Sequence, residues 1–130
     1  MKIDNILLDK LTAEAQASPR LRMNLDLRNS DADSSQRMLN AIEPGSVIPV
    51  HRHPATSETL VVLRGRVVEE YYSSEGVVEA SFDLPSGGPV CALNIPAGQW
   101  HTLRALESGT VILEMKDGAY EPIKECDVLR

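Results

Sequence analysis

Aromatic residues are scarce in this 130-residue chain, which holds one Trp, one Phe and three Tyr. Its core must therefore be built from Leu, Val, Ile and Ala, and the share of β-branched side chains suits sheets. Cysteine is scarce too. Cys91 and Cys126 lack a CxxC partner and read as free thiols in a reducing cytoplasm, not as ligands or a disulfide framework. No basic stripe is present. With a formal net charge of -6 the field repels phosphate backbones, so no nucleic-acid partner is expected, although local arginines still leave room for a charged small molecule. A long apolar run is also missing. The opening MKIDNILLDKLTAEAQASPR carries charges throughout, so neither a signal peptide nor a membrane span is expected, and the expected location is cytoplasmic.

A chain of this length buries roughly two-thirds of its unfolded surface in one core. The expectation is a single domain over 1–130, with a helical segment at 1–18 and a β-barrel and tail at 19–130. Residues 4–17 predict one short helix, capped by Asp4, striped by Ile6, Leu7, Leu11 and Ala15, and stopped by Pro19. From Leu21 the period changes to two: Leu21, Met23, Leu25 and Leu27 alternate with Arg22, Asn24, Asp26 and Arg28. After a polar loop come short strand-like runs, QRMLNAIE, VIPVHRH, TLVVLRG, RVVEEYY, VVEASFDL, PVCALNI, WHTLRALE and TVILEMK. Turns such as Pro44-Gly45, Pro96-Ala97-Gly98 and Ser108-Gly109 separate them, the pattern of an all-β sandwich or barrel and not of βαβ units. The tail EPIKECDVLR has no strong period and is expected either to pack on the barrel or to reach a partner subunit.

The stretch GSVIPVHRHPATSETLVVLRG carries the chemistry. On a strand, His51 and His53 project from one face about 7 Å apart at the backbone, close enough to converge on an ion at about 2.0–2.1 Å. Arg52 points the other way. After the turn at Pro54 to Ser57, Glu58 opens the next strand and shares a face with Leu60 and Val62. In PAGQWHTL, a proline-glycine turn aims a further strand so that His101 supplies a fourth ligand. A lone histidine is commonly structural, yet all three histidines of the chain fall at these places. Three neutral imidazoles and a carboxylate suit one borderline divalent ion: zinc, iron, manganese or nickel.

The spacing G-x5-HxH-x4-E-x6-G from Gly45 to Gly65, followed by PxGxxH, resembles the two signature motifs of the cupin superfamily. Val90 and Ala105 depart from the second motif at positions that are not ligands. The phrases SPRLRMNLDLR, QRMLNAIEPGS, HRHPATSETLVVLRGRV and IPAGQWHTLRALESGTVILEMKDGAYEP resemble those of the WbuC-type cupin fold metalloproteins over nearly the whole chain. The resemblance implies a double-stranded β-helix (jelly-roll barrel) with a short N-terminal α-helix, a bound divalent metal, and a place in surface-polysaccharide metabolism. Chemistry does not follow from the fold, since cupins include isomerases, epimerases, oxygenases and storage proteins.

Other residues stand as candidates beside plainer readings. Arg22 and Asn24 are either a solvated strand face or a grip on an anionic or hydroxylated ligand at the barrel mouth. Glu114 and Lys116 share a face: looking inward they are acid/base candidates, looking outward a charged edge. Arg64 and Arg104 read as exposed strand arginines, and Tyr71, Tyr72 and Trp100 as packing residues. The leading expectation is a metal-dependent isomerase or epimerase acting on a small polar substrate such as a saccharide or nucleotide sugar. The alternatives are a non-catalytic metal- and ligand-binding module, a non-haem iron oxygenase, and a purely structural metal. Exposed sheet edges suggest a homodimer.

Overall fold

Sheet periodicity dominates the computed structural model, which describes residues 1–130. Helix α1, Asn5–Ala17, begins where the Asp4 side chain accepts a hydrogen bond from the Leu7 N–H at 3.1 Å. It buries Leu8, Leu11 and Ala15. Ile6, expected on the buried stripe, is instead 81% exposed, because the apolar positions of this helix centre on Leu8 and Leu11. Leu21 also departs from expectation. Its φ of 55° belongs to a left-handed turn, so the first strand, β1, starts one residue later and spans Arg22–Asp26.

The remaining strands are β2 (Ser35–Ile42), β3 (Glu58–Arg64), β4 (Arg66–Tyr72), β5 (Val78–Pro85), β6 (Ala92–Ile95), β7 (Trp100–Ala105) and β8 (Thr110–Asp117). They form a five-stranded sheet in the order β1-β2-β8-β3-β6 and a three-stranded sheet in the order β5-β4-β7, with every pair antiparallel. One expected strand is absent. VIPVHRH runs without a ladder, and only His51 within it makes bridges, to His101 and Val128. Pro49 removes a backbone donor from this run, which discourages regular pairing. At the β3–β4 corner, Gly65 has φ 84°, and a Cβ there would lie 2.2 Å from Thr110 Oγ1, so only glycine fits.

Alternation sorts the side chains into two clusters. Leu39, Ala41 and Val111 point outward from the five-stranded sheet and are covered by Leu8, Leu11 and Ala15 of α1, with Met23, Leu25 and Leu27 packed alongside. Ile42, Leu60, Val62, Val67, Leu84, Leu103, Ala105 and Ile112 fill one end of the space between the sheets. Burying these side chains contributes roughly 1.5–3 kcal/mol for each large aliphatic residue. Arg64 corrects its expected role. Its guanidinium bonds Asp9 Oδ1 at 2.7 Å, Thr12 Oγ1 at 3.0 Å and the Gly109 carbonyl at 2.8 Å, which ties the helix to the sheet. Arg104 keeps to the surface and pairs with Glu70.

Candidate metal centre

His51 and His101 exchange two backbone hydrogen bonds, His51 N–H to the His101 carbonyl at 3.0 Å and His101 N–H to the His51 carbonyl at 2.8 Å. The Gly98 N–H donates to the His53 carbonyl at 2.8 Å, so the Pro96-Ala97-Gly98 turn is stitched directly to the HxH segment. Gly98 has φ 81°, which the turn needs in order to bring its N–H round. These bonds set the imidazoles in a cluster, with centroids 4.4 Å apart for His51–His101, 5.3 Å for His51–His53 and 5.7 Å for His53–His101. One ring nitrogen from each of the three lies within 4.8 Å of the others, so the group could hold a metal ion. Glu58 stands beside them at the start of β3, its Oε2 3.1 Å from His53 Nε2 and 3.5 Å from His101 Nε2.

Hydrogen bonding sets which nitrogen faces inward. His51 Nδ1 lies 2.8 Å from the Pro49 carbonyl, and His101 Nδ1 lies 2.8 Å from the Gln99 carbonyl. A carbonyl only accepts, so Nδ1 carries the proton and the Nε2 lone pair turns towards the cluster. Burial, then the neighbouring His101 imidazole, lowers the His51 pKa to about 4 and leaves it neutral at pH 7. Glu58 Oε2 is buried without a hydrogen-bond partner and lies 3.5 Å from His101 Nε2, whose lone pair turns towards it. A cation relieves that repulsion. Atoms that bind one ion at about 2.0–2.2 Å sit about 3 Å from each other, which matches the Glu58 contacts. The donor set therefore fits a divalent metal.

The cluster opens onto a cavity of about 180 Å³ between the sheets. Arg22, Asn24, Glu114 and Lys116 all line it together with the three histidines and Glu58. Arg22 bonds the Ser46 hydroxyl at 3.2 Å and the Val47 carbonyl at 3.0 Å, and Met23 on the other face of β1 packs against the helix layer. Lys116 is the cross-strand neighbour of Glu58, and Glu114 that of Leu60, so the face carrying Glu114 and Lys116 looks inward. Burial, reinforced by the Glu58 charge, pushes Glu114 up to about 8.

Three buried polar residues of the cavity escaped the sequence reading. Glu69 is 0% exposed with both carboxylate oxygens unpartnered, and burial, then the Glu58 and Glu114 charges, raises it to about 9. Its signal was the period of two in β4, which puts Glu69 on the face of the buried Val67. Gln36 and Asn40 share the inward face of β2 with Met38 in the same way. The tail resolves its alternative by packing on the barrel. Leu129 N–H donates to the Val50 carbonyl at 2.8 Å, Arg52 N–H donates to the Asp127 carbonyl at 3.0 Å, and the Arg52 guanidinium pairs with Asp127 at 2.9 Å. Tyr120, Glu121 and Ile123 thereby join the cavity lining. Arg52 turns away from the imidazoles, its guanidinium carbon 4.6 Å from the Trp100 ring centre.

A family model described as "Domain of unknown function (DUF6016)" matches residues 3–84. No curated protein matches the chain. Solved structures do. The structure of KdgF from Halomonas sp. aligns with a TM-score of 0.63 at 16% identity, covering 79% of this chain and 84% of that one. A cupin 2 domain-containing protein from Halorhodospira halophila aligns with a TM-score of 0.61 at 16% identity, covering 79% and 68%. The Bacillus subtilis oxalate decarboxylase, described with Mn(II) centres, aligns with a TM-score of 0.60 at 20% identity; 78% of this chain is covered, but only 26% of that one. These likenesses establish the fold, a cupin jelly roll with one short helix.

Proposed function

We propose that this chain, which belongs to the family described as a domain of unknown function (DUF6016), is a metal-dependent isomerase or epimerase acting on a small polar substrate of the saccharide class. His51, His53, His101 and Glu58 hold the ion. One observation carries the reading: three imidazoles and a buried, unpartnered Glu58 oxygen share one cavity with Glu114 and Lys116. When bound, a divalent ion supplies Lewis acidity to a substrate carbonyl or hydroxyl oxygen. Glu114, shifted to about 8, exchanges a proton at its carboxyl near neutral pH, and Lys116 Nζ serves as the second proton-handling group. Arg22 and Asn24 hold the substrate at the rim, and Leu60, Ile95 and Leu103 keep bulk water from the floor. The likeness to WbuC-type proteins supports a role in surface-polysaccharide metabolism, and the free edge of β1 supports a homodimer. No helix is long and apolar enough to cross a membrane.

Elemental analysis of protein purified without a metal-affinity column tests the centre, with near one equivalent of a divalent metal expected and its absence overturning the reading. With metal present, Glu114→Gln and Lys116→Ala abolish turnover of a saccharide substrate while leaving its affinity in place. Variants that turn over and bind as wild type support a non-catalytic binding module instead.

A further inference from the structure

Five side-chain polar atoms in the molecule are buried without a hydrogen-bond partner, and all five are oxygens of residues lining the one cavity. Glu58 Oε2 is accounted for by the metal centre. The other four are Gln36 Oε1, Asn40 Oδ1 and the two oxygens of Glu69. Gln36 is 8% exposed, Asn40 9% and Glu69 0%, so bulk water does not satisfy them. Folding normally pairs such groups, and an unpaired set confined to one cavity marks groups kept for something else. The set also spans the fold, with Gln36 and Asn40 on β2 of the large sheet and Glu69 on β4 of the small one.

The cations of the cavity complete the pattern. Neither Arg22 nor Lys116 has a carboxylate partner, although both line a space that also contains Glu58, Glu69 and Glu114. Arg22 spends only one of its terminal nitrogens on Ser46 and Val47, leaving the rest of its fork free. Unpaired acceptors call for neutral O–H donors, and an unpaired guanidinium calls for an anion. A polyamine would meet the acceptors but is repelled by Arg22 and Lys116. At about 180 Å³ the cavity falls below the roughly 300–1,000 Å³ of pockets for drug-sized ligands, so its occupant is a small molecule.

We infer that the ligand of this cavity is a hydroxylated anion of monosaccharide size, with its carboxylate or phosphate on Arg22 and its hydroxyls hydrogen-bonded by Gln36, Asn40 and Glu69. The inference rests on the saccharide reading above and narrows it to acidic sugars recognised by an acceptor-rich floor.

Calorimetric titration of metal-loaded protein with glucose, acetate, glucuronate and glucose 6-phosphate tests it. Glucuronate or glucose 6-phosphate is expected to bind at least tenfold more tightly than glucose or acetate, and whichever of the two prevails identifies the anionic group. Gln36→Met and Asn40→Leu each weaken that anion about tenfold and leave acetate unchanged, whereas Arg22→Gln lowers its affinity to that of glucose. Equal affinity for glucose and both anions, binding of none of them, or wild-type binding by the three variants overturns the inference. The wild-type selectivity stands even where a variant fails to fold. Metal content measured on the same samples separates the two readings. Bound metal without this selectivity overturns the acidic-sugar ligand alone, and selectivity without bound metal overturns the metal-dependent enzyme alone.

Discussion

The two ends of the interior are built from the same strands and differ in kind. Along β3 the inward residues run Glu58, Leu60, Val62; along β7 they run His101, Leu103, Ala105; along β4, Glu69 is followed inward by Val67. Towards one end the row closes into a dry cluster with Leu84 and Ile112. Towards the other it becomes a cavity of imidazoles, carboxyls and amides. Period-two alternation decides only that a residue faces inward, while its position along the strand decides whether it meets apolar partners or the site. Stability and chemistry are thus placed in series on one set of strands. The apolar end and the helix layer offset the cost of burying unpaired polar groups at the other end.

The sharpest division of labour is expected from Ile112→Ala, at a fully buried position outside the cavity lining. Cavity creation there costs roughly 2–5 kcal/mol by denaturant unfolding, while the folded fraction keeps its metal. If Ile112→Ala also loses metal at full folding, the two ends are not separable. His101→Ala is the converse. Metal affinity measured by chelator competition falls by more than the roughly 10–100-fold typical of outer-shell partners, while the metal-free protein loses far less stability than Ile112→Ala does.

A third contrast lies in pH. Glu69, shifted from 4.5 to about 9, is protonated in the folded state where the unfolded chain has released its proton. Its contribution to stability is complete below 4.5 and is lost as pH rises towards 9, at up to about 1.4 kcal/mol per pH unit for one group. His51, lowered from 6.5 to about 4, has the opposite slope, with stability present above 6.5 and lost as pH falls towards 4. Metal-free protein is therefore expected to unfold more readily at both ends of a pH series, and Glu69→Gln flattens the alkaline side only. An unchanged alkaline slope in that variant would assign the loss to other groups. The smallest effect belongs outside both regions: Ile6→Ser, at an exposed helix position, changes stability by about 0.5 kcal/mol or less and leaves metal content unchanged.

Much of this arrangement was legible in the sequence, because strand alternation and turn chemistry are local. The helix cap at Asp4 and the inward row Glu58-Leu60-Val62 follow from residue spacing, and the clustering of His51, His53 and His101 follows from the two motifs that carry the cupin resemblance. The rest depended on contacts between distant segments. Whether Glu114 and Lys116 faced inward was decided by the pairing of β8 with both β2 and β3, which the TVILEMK run does not encode by itself. Arg64 was misread because its partners, Asp9 and Thr12, lie more than fifty residues away on the helix. VIPVHRH was misread because extended backbone beside a proline need not join a ladder. Glu69 went unnoticed although its alternation was visible, since a glutamate in a strand ordinarily marks the wet face.

The tail gives the two ends of the chain unequal standing as attachment points. Met1 is 89% exposed, whereas Val128 bridges His51 and Asp127 grips Arg52 between two of the imidazoles. Anything fused after Arg130 pulls on the segment that aligns His51 and His53, and a strained fusion there would be read as weakened metal binding. A handle at Met1 leaves that alignment alone.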